Sequence, residues 1–169
     1  MGSSDEGRKY AEAIVRILHT WGTEPLPWWD PDMFPTNLTA IESLENISGR
    51  VDGAILVASP DGQTTHRGNE IFAPPMNVML EYGLFLGRLS RSQIGIALVE
   101  GASLPSDLAG INYIPLPSVQ GRMVPAVYEA LAAPPVNNWL ERLSDARDVV
   151  PSLSAHLDKS TNDRMGDSV

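Results

Sequence analysis

Two runs of unbroken apolar residues, Val51–Ser59 (VDGAILVAS) and Gln93–Glu100 (QIGIALVE), set the frame of this chain. Continuous apolar strands of this kind belong in the interior of a parallel sheet, where both faces are covered. Ile111–Leu116 (INYIPL) reads as a third, final strand, and Thr23–Trp29 (TEPLPWW) as a short one in which Pro25 and Pro27 suit an edge. Helical spacing fills the intervals. After the polar loop GSSDEG, the residues Tyr10, Ile14, Ile17, Leu18 and Trp21 share one face, and Ser3 with Glu6 fits a capping box. The segment Asn37–Ser48 turns Leu38, Ile41, Leu44 and Ile47 inward, after a Pro/Asp loop over Asp30–Thr36. Gly62–Phe72 reads as a polar loop with His66 and Arg67 exposed. Gly121–Ala132 is expected to form a helix interrupted near its start by Pro125. From Pro134 the character changes to a linker (APPVNN), a weak amphipathic helix over Trp139–Val150 and a polar, disordered tail over Ser160–Val169. The alternation predicts an α/β domain over residues 1–133, a parallel sheet flanked by helices, with 134–169 as an appendage.

The stretch Ala73–Leu89 (APPMNVMLEYGLFLGRL) stands out. Proline suits the first turn of a helix, and the residues that follow are apolar on every side, the pattern of a buried helix. One carboxylate, Glu81, sits in its middle, with Asn77 a turn earlier on the same face. A buried carboxylate needs a partner or a cleft. From the helix alone, a structural acid bonded to a backbone N–H or to Arg88 stands beside a catalytic one. Gly83 removes a side chain beside it, so that a ligand or another backbone can come close.

Composition narrows the classes. At 169 residues the chain is long enough for a real core. It has no cysteine, which excludes disulfides, thiolate metal sites and a cysteine nucleophile and fits the cytoplasm. A net charge of −9 argues against nucleic acid and anionic membranes as partners. No apolar run has the length of a membrane span. There is no phosphate loop of the G-x-x-x-x-G-K-[ST] type, no G-x-G-x-x-G, no G-x-S-x-G and no metal-spaced histidine pair, so neither a metal nor a cofactor is expected. His66, alone in its loop, reads as a solvated histidine, and Arg67 as a phosphate contact or a surface salt bridge in equal measure.

The residues NVMLEYGLFLGRL, preceded by Ser59-Pro60-Asp61 and followed by a strand and LPSDLAGINYIPL, resemble the nucleotide-binding TIR-like domain of bacterial anti-phage defence proteins. That domain occurs beside STING-type or other cyclic-nucleotide sensors, as in TIR-STING and Pycsar TIR effectors. The resemblance covers about residues 2–132 and is densest over 74–89 and 104–116, with Tyr82 where the family usually has leucine. It implies a flavodoxin-like sheet of order 2-1-3-4-5 and hydrolysis of NAD+ as substrate, giving nicotinamide and ADP-ribose. Glu81 takes the position of the family's catalytic glutamate, and the loops that seat the nucleotide match Ser3, Ser4, Trp29, Asp30 and Ser59, with Asn77 beside them. Self-association, with one subunit's Asp30–Thr36 loop completing its neighbour's site, and a cyclic-nucleotide sensor, fused or separate, are further implications. The family's first strand comes directly before the GSSDEG loop, where only Met1 stands here, so that strand is expected to be missing or truncated; a start codon placed too far downstream is the favoured reading, beside a trimmed chain or another segment in the strand's place.

A single carboxylate suffices for this chemistry, because nicotinamide leaves as a neutral ring from a cationic pyridinium, through a transition state like an oxocarbenium ion. Two other readings share the fold: a nucleoside deoxyribosyltransferase-like enzyme with a glutamate nucleophile, and a non-catalytic TIR-type interaction or nucleotide-binding module. A receiver domain fits least, for want of the acidic cluster and lysine it needs.

Overall fold

The computed structural model describes residues 5–60, 62–66, 69–73, 76–104, 108, 111, 113–119 and 124–162, with backbone alone at 5–6, 62–66, 69–73, 76 and 146–162. Three parallel strands form its centre: β1 (Ala54–Ala58), β4 (Ile94–Val99) and β5 (Ile114–Leu116), in the order β1-β4-β5. This is the third-fourth-fifth run of the expected sheet. Residues alternate between its two faces. Ile55, Val57, Ala97, Val99, Ile114 and Leu116 face a layer built from α1 (Asp5–Thr20) and α4 (Pro125–Asn162). On the opposite face Leu56, Ala58, Ile94 and Ile96 meet α2 (Ala40–Ser48) and α3 (Met76–Leu86). The register pairs Val57 with Ala97 and Val99 with Leu116, which keeps each face apolar across the sheet. The result is an α/β sandwich of three layers.

Several elements depart from expectation. Thr23–Trp29 is not a strand, and Pro25 and Pro27 remove two backbone donors from one edge of the segment. Gly62–Phe72 is not a loop. Gly62–His66 (β2) pairs antiparallel with Asn69–Ala73 (β3), and His66 faces Asn69 with two residues between them in the chain, the spacing of a tight hairpin. Helix α2 begins later than Asn37, at a capping box in which Thr39 and Glu42 bond each other's backbone N–H, and Ile41 is half-exposed. Trp21, expected on the buried face of α1, lies past the end of that helix and is largely exposed.

The largest departure is at Pro134. The expected linker is helical, and α4 runs unbroken from Pro125 to Asn162, over 38 residues. Pro125 opens it rather than interrupting it. An interior proline costs about 3 kcal/mol. Against that, Tyr128, Ala132, Val136 and Leu140 fall at four-residue spacing and are all buried in the α1/α4 layer. Each large apolar side chain so buried contributes about 1.5–3 kcal/mol, enough to carry the helix through the proline pair. Ser160–Asn162, expected in the polar tail, are its last residues. Ser3, Ser4, Arg67, the segment 105–107 and the rest of the tail lie outside the described residues.

Candidate functional site

Helix α3 crosses the α2/α3 face of the sheet and presents Val78, Tyr82 and Phe85 to it, all buried. Glu81 lies on this inward side and is only 2 % exposed. The helix is not buried all round: Leu80 is 54 % exposed, and Asn77, Gly83 and Leu86 also face outward. A Cβ on Gly83 would meet nothing within 4 Å among the described residues, none of which makes use of its small size. A carboxylate in an apolar layer is costly unless bonded. Glu81 does take part in a bonding or electrostatic contact, as does Ser59. Ser59 follows directly on β1, 1 % exposed, at the C-terminal end of the sheet. Ligands bind at that end in open α/β sheets.

The remaining residues of the expected site divide. Asn77 is exposed, one turn nearer the start of α3 than the buried Glu81. Asp30 caps the short 3-10 helix Pro31–Met33, its Oδ1 accepting the N–H of Asp32 at 3.0 Å. The two adjacent tryptophans part company. Trp28 packs into the layer that holds Glu81, edge-on to Phe34 with ring centroids 4.3 Å apart. Trp29 packs against the α1/α4 layer, and the Arg8 guanidinium lies 4.8 Å from its ring centre. Arg8 was not legible as part of this surface, because the contact joins two elements with no shared spacing. Ser3 and Ser4 fall outside the described residues.

Two tyrosines hold the chain beyond β5. Tyr10 Oη accepts the N–H of Val119 at 3.2 Å, and Tyr128 Oη donates to the carbonyl of Pro117 at 3.2 Å. Burial, with the neighbouring Tyr10, pushes the Tyr128 hydroxyl well above the ordinary phenol range. A cavity of about 700 Å³ lies elsewhere, at the N-terminal end of β1, and neither Glu81 nor Ser59 lines it. Among the described residues no three acidic, histidine or cysteine side chains gather as a metal site would require. No helix among them is long and apolar enough to cross a membrane.

The parallel sheet covered by helices on both faces is the α/β architecture of a TIR-like fold. A family model described as "CAP12/Pycsar effector protein, TIR domain" matches residues 1–118, and the chain belongs to that family. It is 36 % identical over 148 residues to CD-NTase-associated protein 12 of Flavobacterium daejeonense, covering 88 % of this chain and 44 % of that protein. It is 39 % identical over 88 residues to the Pycsar effector protein PaPycTIR of Pseudomonas aeruginosa, covering 51 % of this chain and 29 % of that protein. The Burkholderia cepacia effector BcPycTIR matches at 37 % over 89 residues, 52 % of this chain and 29 % of its own length. The chain thus spans less than half the length of these curated relatives.

Proposed function

We propose that this domain hydrolyses NAD+ at the bond between nicotinamide and ribose, as the toxic effector of an anti-phage response. The observation that carries the reading is the burial of Glu81 on α3, within the residues that match the family. In the reaction the bond from C1′ to the pyridinium nitrogen breaks, and its electron pair neutralises the ring, which leaves as nicotinamide. Positive charge grows on C1′ and the ring oxygen of the ribose. A carboxylate in a low-dielectric layer stabilises that charge more strongly than one in water. Water then adds to C1′, loses a proton and gives ADP-ribose. No general acid is needed for so good a leaving group.

Ser59 and Asn77 would bind the ribose and diphosphate from the sheet's C-terminal end. The names of the relatives, CD-NTase-associated protein and Pycsar effector, support a role downstream of a cyclic-nucleotide signal, with a sensor fused or separate. Self-association through the TIR domain would then assemble active sites, in the cytoplasm where NAD+ is available. The test is nicotinamide release at high protein concentration with a crowding agent, wild type beside Glu81→Gln. Release that is lost in the variant, with an unchanged melting temperature, supports the reading. Equal release from both proteins, or none from either under assembly conditions, overturns it.

A further inference from the structure

The exits of the three strands carry a row of polar residues above an apolar sheet: Ser59 directly after β1, Glu100 directly after β4, and Ser118 two residues beyond β5. The register pairs Ala58 with Leu98 and Val99 with Leu116, so the three exits stand side by side along the C-terminal edge. Gly101, at φ +93°, lies beside Pro60: a Cβ added there would stand 3.9 Å from Cγ of that proline. Glu100 is the exposed member of the row, and its carboxylate is held in place. Oε2 accepts the N–H of Ser118 at 3.4 Å and its hydroxyl at 3.2 Å. The gripped segment is fixed from two further sides, by Tyr128 on the carbonyl of Pro117 and by Tyr10 on the N–H of Val119. Both rings are buried, with centroids 5.6 Å apart. Three successive residues are thus bonded by side chains of α4, of the β4 exit and of α1, so Glu100 meets a fixed partner.

We propose that Glu100 recognises the adenosine ribose of NAD+ and selects NAD+ against NADP+, an assignment that rests on the reading of NAD+ as substrate. Ligands of open α/β sheets collect outside the C-terminal ends of the strands, where Glu100 stands on the middle one. In sheets that bind dinucleotides, a carboxylate takes the free 2′-hydroxyl of this ribose, whereas an arginine accommodates a 2′-phosphate. A carboxylate can accept about four hydrogen bonds, so the two from Ser118 leave room for a ribose hydroxyl. The 2′-phosphate of NADP+ would bring further negative charge to the same spot, in a chain whose net charge is −9. Ser118 is the positioning partner: it fixes one oxygen, and with it the direction of the remaining lone pairs. Glu81 then works at the nicotinamide end of the substrate and Glu100 at the adenosine end.

The experiment reads recognition without turnover. Binding of ADP-ribose and of its 2′-phosphate, which keep the adenosine ribose and lack the bond to be broken, is measured by calorimetry. The full chain is compared with Glu100→Gln and Glu100→Arg, and melting temperatures and nicotinamide release are followed beside it. The full chain is expected to bind ADP-ribose on the order of tenfold more tightly than the 2′-phosphate, the scale of one hydrogen bond to a charged group. Glu100→Gln, whose amide oxygen can still accept from Ser118, should keep the melting temperature and bring the ratio close to one. Glu100→Arg should invert it. A ratio that Glu100→Gln leaves unchanged, or no binding of either ligand, overturns the proposal. A lower melting temperature with an unchanged ratio also overturns it, and leaves Glu100 as a fastener of the β5 exit alone. Release of nicotinamide with an unchanged ratio overturns this assignment and not the hydrolase reading. A ratio that collapses in Glu100→Gln, with no nicotinamide released under assembly conditions, supports the assignment and overturns the hydrolase reading.

Discussion

The indole of Trp139 lies directly against the backbone of Gly95: a Cβ on that glycine would stand 3.0 Å from Nε1, and 2.8 Å from Cδ1 of Ile114. Trp139 Nε1 is buried with no hydrogen-bond partner among the described residues, so shape rather than hydrogen bonding fixes the ring. Helix α4 thus approaches the sheet where β4 has no side chain. Gly95→Ala is expected to cost about 1–3 kcal/mol through overpacking, read from urea unfolding. In a Trp139→Leu background the same change should cost much less, because the two residues share one contact. Additive costs would mean that the glycine serves the strand and not the helix.

Tyr128 makes stability depend on alkaline pH. Its hydroxyl is buried and its folded pKa raised, so the folded state keeps a proton that the unfolded chain gives up near pH 10. Stability from this group is fully present below that pH and is lost as pH rises above it. Tyr128→Phe should therefore flatten the alkaline limb of stability against pH. At neutral pH it should cost about 1 kcal/mol for the bond to Pro117. A variant that retained the full alkaline loss would place its origin elsewhere.

The capping box of α2 acts at the acid end. Bonds from the Thr39 backbone N–H, and next from its hydroxyl, hold the Glu42 carboxyl below its ordinary range. What it contributes is present above the unfolded carboxylate pKa and is lost as pH falls through the lower, folded value. Thr39→Ala should cost about 1 kcal/mol at pH 7, and Glu42→Gln should reduce the change between pH 5 and 3. Circular dichroism melts across that range test both.

What could be read in advance follows from where each signal lies. The strands VDGAILVAS and QIGIALVE were legible because an interior strand of a parallel sheet is apolar on both faces. TEPLPWW read as a short edge strand, its prolines taken as compatible with an edge, but the segment forms no strand. Pro134 and Pro135 gave a strong local stop signal, and the stripe Tyr128-Ala132-Val136-Leu140 overrode it, a tertiary effect visible only once α1 and the sheet are in place. Glu81 was legible as a carboxylate in an apolar helix; Ser59 and Trp29 entered only through the family resemblance, because they lie on other elements. Trp28 enters the layer of Glu81 and Trp29 does not, an assignment that two identical adjacent residues cannot reveal.

That separation makes the Arg8–Trp29 pair a test of substrate binding rather than of chemistry. Trp29 stands in the opposite layer from Glu81, with a half-exposed cation over its ring. If the pair seats the diphosphate and base of NAD+, its interactions with substrate are the same in ground and transition states, and their loss raises KM without lowering kcat. Arg8→Ala is expected to raise KM about two- to fivefold, the scale of an exposed cation–π contact, with stability changed by less than about 1 kcal/mol. Trp29→Ala should raise KM further and also lower stability, since its ring packs on the α1/α4 layer. Steady-state nicotinamide release over a range of NAD+ concentrations separates the outcomes. A fall in kcat at unchanged KM would instead place Arg8 at the reacting centre with Glu81.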